Sequence, residues 1–185
     1  MKKVSNSIIL QLQIVFSVSI ILLLLSLASS FYSIQRLIEH TKAVNHTNEV
    51  LNQAESIISY LKDAETSQRG YLLTMDSSFL QHYNGAHNYT TLAYQRLVNL
   101  TSDNPAQQKI LVVLKKQYED RFNQINRVID ISKGRLVSEA DYAQRLLEMR
   151  RGKKIMDDLR ATVSEIQKEE ERLLAIQMES QNVYI

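Results

Sequence analysis

The chain has 185 residues, with 22 Lys and Arg against 20 Asp and Glu, one proline, four glycines, no cysteine and no tryptophan. That length suits one domain with a short appendage, and so few chain breakers exclude a sandwich or a doubly wound sheet in favour of long helices. The lack of cysteine excludes a disulfide framework and thiolate zinc sites. Lys2 and Lys3 carry the whole formal charge of +2, so the rest of the chain has no basic excess for a nucleic-acid partner.

The first element is the apolar run Ile8–Ala28, in which only Gln11 and Gln13 are clearly polar. About 20 such residues cross a bilayer core. With Lys2 and Lys3 ahead of it, residues 1–7 are expected to stay in the cytoplasm. Residues 8–30 then form a transmembrane helix, and 31–185 are exported to the periplasmic or extracellular side of a bacterial cytoplasmic (inner) membrane. Ala28-Ser29-Ser30 also offers a small-x-small cleavage triplet. The length of the apolar run, and a helical pattern that continues through the triplet, favour an uncleaved anchor. No second apolar run is present and the pattern is still helical at Ile185, so a longer protein with a second membrane crossing is expected.

Beyond the membrane segment the expectation is an all-α antiparallel four-helix bundle, with two long (first and last) and two shorter helices at about 31–75, 77–101, 105–133 and 139–182. The first helix carries a three-four seam of Leu37, His40, Val44, Thr47, Leu51, Ala54, Ile58, Leu61, Glu65, Gln68, Leu72 and Met75. Asp76 or Ser77 is a natural N-cap for the second helix. The second seam runs Phe79, Tyr83, Ala86, Thr90, Ala93, Leu97, Leu100 and ends at a turn where Asn104 can cap and Pro105 fits the first helical position. The third is Leu111, Leu114, Tyr118, Arg121, Ile125, Val128, widened by Phe122 and Ile129, with Gly134 suited to a left-handed helix end. Ser138 and Asp141 resemble a capping box opening the last helix, whose seam is Met149, Gly152, Met156, Leu159, Val163, Ile166, Glu170, Leu173. The longer first and last helices would run on toward the membrane as a two-helix stalk, which invites a parallel homodimer.

Four seam positions are polar or charged: Glu65, Gln68, Arg121 and Glu170. Counted from the distal tip, Glu65 and Arg121 fall at nearly the same depth, so Glu65 is expected to pair with Arg121, or with Arg150, as a partly buried ion pair that sets register. The plainer alternative is an i,i+4 surface pair of Glu65 with Arg69. Seven tyrosines could line a pocket but more often pack on a bundle surface. None of His40, His46, His82 and His87 stands in a metal-ligating pattern, and no phosphate loop, nucleophile elbow or carboxylate pair is visible. No catalytic, cofactor or metal role is therefore expected in these residues.

The segment DAETSQRGYLLTMDSSFLQHY resembles the first signature of the third class of CHASE domains, the extracellular sensory domains of membrane-bound histidine kinases and cyclases. The matching residues are Glu65, Arg69, Gly70, Tyr71, Leu72, Leu73, Thr74 and Asp76, with Phe79, Leu80 and Tyr83 behind them. GKKIMDDLRATVSEIQKEEERLL is similar to that family's second signature, at Gly152, Lys153, Met156, Asp157, Arg160, Glu170, Leu173 and Leu174. One departure is Met75, where the family usually has glycine. The resemblance implies the sensor region of a membrane-bound two-component sensor histidine kinase, with no enzyme in these residues and a kinase in a further C-terminal region. The stimulus, a small molecule or a protein, is not specified by it. A chemotaxis-type ligand-binding bundle and a non-sensing, membrane-anchored structural protein remain as alternatives.

Overall fold

The structure, a computed structural model, describes residues 2–133 and 138–182, with side chains placed over 8–133 and 138–179. The described residues form four α-helices, α1 (Lys2–Thr74), α2 (Leu80–Leu100), α3 (Pro105–Ser132) and α4 (Glu139–Asn182), with one 3-10 turn at Ser77–Phe79. The chain divides into two units, Met1–Val44 and Asn45–Ile185. In the first unit, α1 presents exposed large apolar side chains from Ile8 to Leu27. Its most apolar window has a mean hydropathy of 2.7, so this helix is long and apolar enough to cross a membrane.

In the second unit the helices form an antiparallel four-helix bundle, and four contacts close the ring. Tyr60 of α1 lies 5.4 Å, ring to ring, from Tyr89 of α2. Tyr94 of α2 lies 5.5 Å from Tyr118 of α3. Gln124 Nε2 of α3 donates to the Glu148 carbonyl of α4 at 2.8 Å. Gln167 Nε2 of α4 donates to Glu55 Oε1 of α1 at 2.8 Å. Short connections between long helices leave up-down-up-down as the natural path.

The core follows the sequence seams, with a systematic addition. Ala54, Ile58, Leu61, Ala86, Ala93, Leu97, Leu111, Leu114, Ile125, Leu159, Val163 and Ile166 are all buried, as the three-four spacing requires. Burying one such large aliphatic side chain stabilises by about 1.5–3 kcal/mol. In α1, Val50, Ile57, Ala64 and Tyr71 are buried as well. They repeat every seven residues beside the seam, because a helix wedged between two neighbours buries a stripe wider than two positions per heptad. The outer ends of the seams correct the expectation. Met75 is 51% exposed, Phe79 41% and Met149 46%. Met75 and Phe79 lie in and beside the tip turn, and Met149 of α4 lines an open cleft instead of packing into the core.

The helix ends are held by local chemistry. Asp76 caps the 3-10 turn, accepting from the Ser78 N–H at 2.8 Å, and α2 itself begins only at Leu80. Asn104 accepts from the N–H groups of Ala106 (3.0 Å) and Gln107 (3.2 Å), with Pro105 at the first position of α3. Ser138 and Asp141 form the reciprocal box. The Asp141 N–H donates to Ser138 Oγ at 3.2 Å, and the Ser138 N–H donates to Asp141 Oδ2 at 3.0 Å. The left-handed helix end expected at Gly134 lies outside the described residues.

Candidate functional site

Spacing on α1 stacks Glu65, Gln68 and Arg69 on one face, and spacing on α3 does the same for Arg121 and Gln124. Where these faces meet, the core turns polar. Arg121 Nη2 lies 2.9 Å from Glu65 Oε2. The other carboxylate oxygen of Glu65 takes Arg69, so the register pair and the i,i+4 pair coexist on one carboxylate. Arg150, the other candidate for Glu65, has no ion-pair partner among the described residues. Arg121 Nη1 donates to Gln124 Oε1, while Gln68 Nε2 donates to the Ile125 carbonyl at 3.3 Å. Arg121 is only 3% exposed, and burial pulls its guanidinium down from its ordinary value against the opposing hold of the Glu65 carboxylate. It still carries its charge, since an arginine guanidinium keeps its proton in proteins.

Gly152 of α4 explains how a guanidinium fits there. A Cβ at that position would sit 2.5 Å from Arg121 Nη1 and 2.7 Å from Gln124 Oε1. The glycine leaves the space that the polar layer occupies. Glu65 of the first signature segment and Gly152 of the second therefore meet through two α3 residues that belong to neither. Sequence reasoning placed Arg121 in its seam but missed Gln124, because a glutamine at a flanking helical position normally reads as surface.

Other signature residues shape the distal tip. A Cβ on Gly70 would run into the Phe79 ring, coming within 2.8 Å of Cε1. Thr74 Oγ1 donates to the Gly70 carbonyl at 2.8 Å and accepts from the Asp76 N–H at 3.2 Å. Met75 has φ of 56°, a left-handed conformation that glycine adopts without strain, and its N–H donates to the Tyr71 carbonyl at 2.7 Å. The Ser78 N–H holds the Asp76 carboxyl below its ordinary value. Tyr83 is buried against Phe122, its hydroxyl donating to Asn126 Oδ1 at 2.8 Å, and burial pushes it up to about 12. Tyr71 is buried, Leu72 half-buried and Leu73 exposed.

The second segment divides similarly. Met156 is buried, and Leu173 is half-buried. Asp157 is exposed between Lys153 (2.7 Å) and Arg160 (2.9 Å). Glu170 is buried in a second polar layer, where Gln107 Nε2 (2.5 Å) and Thr47 Oγ1 (3.2 Å) both donate to its carboxylate. Among the described residues no His, Asp and Glu cluster could hold a metal ion.

A cleft of about 470 Å³ opens beside the distal layer, between α1 and α4, with Arg121 and Gln124 of α3 among its lining residues. It gathers five cationic side chains against the two carboxylates of Glu65 and Asp157. Nothing in it resembles a nucleophile with its base, so the arrangement suits binding and packing rather than covalent chemistry.

Comparison with known proteins fits this geometry. The CHASE3 domain family matches residues 40–180, which includes both signature segments and the polar layers. The chain is also similar to a solved structure described as the sensor domain of the Rhodopseudomonas palustris histidine kinase HK9. The TM-score is 0.60 at 25% identity, covering 69% of this chain and 98% of that one. No curated protein matches the chain. The bundle is thus an extracellular-type sensor domain of a membrane-associated receptor, and the chain belongs to the CHASE3 domain family.

Proposed function

We propose that this chain is the input region of a membrane-bound bacterial sensor histidine kinase, whose kinase lies in a further C-terminal region. The observation that carries the reading is the CHASE3 match over residues 40–180 behind a helix of membrane-spanning length and hydropathy. In this reading the N-terminus is cytoplasmic, as Lys2 and Lys3 favour, the bundle lies outside a bacterial inner membrane, and two chains associate in parallel.

A stimulus acts by shifting α1 against α4, the helices that lead toward the membrane. The shift needs only two packings that differ by a few kcal/mol. The distal polar layer and the small seam residues Ala54 and Gly152 are places where two such packings can coexist. Cysteine crosslinking in membranes tests this, with single cysteines at positions such as Leu51 and His40. The expected result is crosslinking between two copies whose pattern changes with the signalling state. An unchanged pattern across several positions, between kinase-on and kinase-off variants, contradicts the transmission scheme. Phosphotransfer from the longer protein to a response regulator tests the kinase assignment separately.

A further inference from the structure

The cleft beside the distal layer has more positive charge than it can neutralise. Glu65 is shared by Arg69 and Arg121. Asp157 is shared by Lys153 and Arg160. Arg150 lines the same cleft and has no ion-pair partner among the described residues. Each carboxylate thus faces two cations, a fifth cation faces none, and the cleft carries three positive charges in excess. A recessed site flanked by protein screens such charge less than open solvent does.

Two guanidiniums, one lining the cleft and one lining the groove beside it, have a buried Nε without a hydrogen-bond partner. Arg121 Nε is buried without a hydrogen-bond partner in a residue only 3% exposed. Arg145 Nε is buried without one as well.

Arg145 belongs to an adjoining groove of about 370 Å³ that shares Arg69 and Met149 with the cleft. The rest of that groove is mostly apolar, from Leu72, Leu73, Tyr142 and Leu146, and Leu73 is 86% exposed. A cationic cleft continuous with an apolar groove fits a ligand with a charged head and an apolar body. Arginine suits a carboxylate head in particular, because its planar fork matches two carboxylate oxygens. An inorganic oxyanion would leave the groove empty, and a neutral hydrocarbon would leave the excess charge unanswered.

We propose that this face binds a small organic carboxylate, its head among Arg69, Arg150 and Lys153 and its apolar body along Leu72, Leu146 and Met149. The proposal gives the sensor reading a ligand class and rests on it for the consequence. The walls are α1 and α4, so occupancy would bias their relative packing.

The test uses the full chain in lipid nanodiscs, with binding followed by calorimetry and thermal shift. Hexanoate and benzoate serve as amphipathic probes, acetate and inorganic phosphate as bare heads, and benzamide as a neutral body. Hexanoate or benzoate is expected to bind at least tenfold more tightly than acetate, phosphate or benzamide. R150Q should weaken that binding about tenfold and R150K much less. L146S should reduce the preference for hexanoate over acetate. Arg150 and Leu146 are exposed, so neither variant depends on core packing, and circular dichroism checks their fold.

Equal binding of phosphate and hexanoate, no binding of either amphipathic probe, or an indifferent R150Q would overturn the proposal. So would an L146S variant that dissociates a dimer without changing carboxylate binding, because the groove would then belong to an interface between copies. None of these outcomes bears on the crosslinking or phosphotransfer results, so the sensor reading stands or falls apart from it.

Discussion

In the distal polar layer a carboxylate meets cations, whereas in the proximal one a carboxylate meets neutral donors. Glu65 is held by Arg121 and Arg69, with Gly152 leaving the space. Glu170 is held by Gln107 and Thr47. Between them the core is mostly aliphatic, with Leu61, Leu111, Leu159 and Ile166 fully buried. Both layers interrupt a hydrophobic seam, but their failure modes differ. Removing Glu65 leaves a buried guanidinium without its counter-charge, whereas removing the Glu170 charge leaves an amide and a hydroxyl with a weaker acceptor. A buried ion pair adds little net stability while intact, yet half of one is strongly destabilising.

The largest expected effect therefore belongs to Glu65→Ala. Arg121 is 3% exposed and would lose its carboxylate, so urea denaturation of the full chain in detergent should show a loss of about 3 kcal/mol. Glu170→Gln should cost about 1 kcal/mol in the same measurement, the scale of one weakened buried hydrogen bond. Equal losses at the two positions would erase the distinction between the layers.

A smaller effect of opposite sign is expected at the tip above the distal layer. Met75 holds φ of 56°, so Met75→Gly should relieve left-handed strain and stabilise by about 0.5–1 kcal/mol. The smallest effect lies beside the proximal layer. Arg172 and, less strongly, Asn104 hold the Glu169 carboxyl down to about 2 from an ordinary 4.5. The unfolded chain binds this proton more readily, so the contribution is present above pH 4.5 and fades as pH falls toward 2. Arg172→Gln should flatten that part of the acid denaturation curve, with a small, solvent-screened loss of stability above pH 4.5 that vanishes as pH falls toward 2.

Much of this arrangement is legible in the sequence, for identifiable reasons. Helix caps at Asn104 and Ser138 need only neighbours along the chain, and they stand where the local pattern puts them, whereas Asp76 caps the 3-10 turn that precedes α2. Arg121 and Glu65 interrupt regular seams, which gives their facing direction, and equal depth from the tip gives their layer. Gln107 and Gln124 are hidden because glutamine carries no seam signal, and only the carboxylate or guanidinium across the core shows why each is buried. Val50, Ile57 and Ala64 are hidden for a different reason. A heptad reading counts one seam, whereas α1 packs against neighbours on both flanks. The cleft is invisible as well, since it joins Arg69 of α1 to Arg150 and Lys153 of α4, about 80 residues apart in the chain.

Glu65 and Arg121 are expected to act as one unit linking the two signature segments through α3. A double-mutant cycle with Glu65→Ala and Arg121→Met measures that unit directly. Arg121→Met alone should be milder than Glu65→Ala, because Glu65 is partly exposed and keeps Arg69. The double variant should recover much of the Glu65→Ala loss, giving a coupling of about 1.5–3 kcal/mol. Additivity within about 0.3 kcal/mol would contradict this coupling, leaving the pair as two independent side chains.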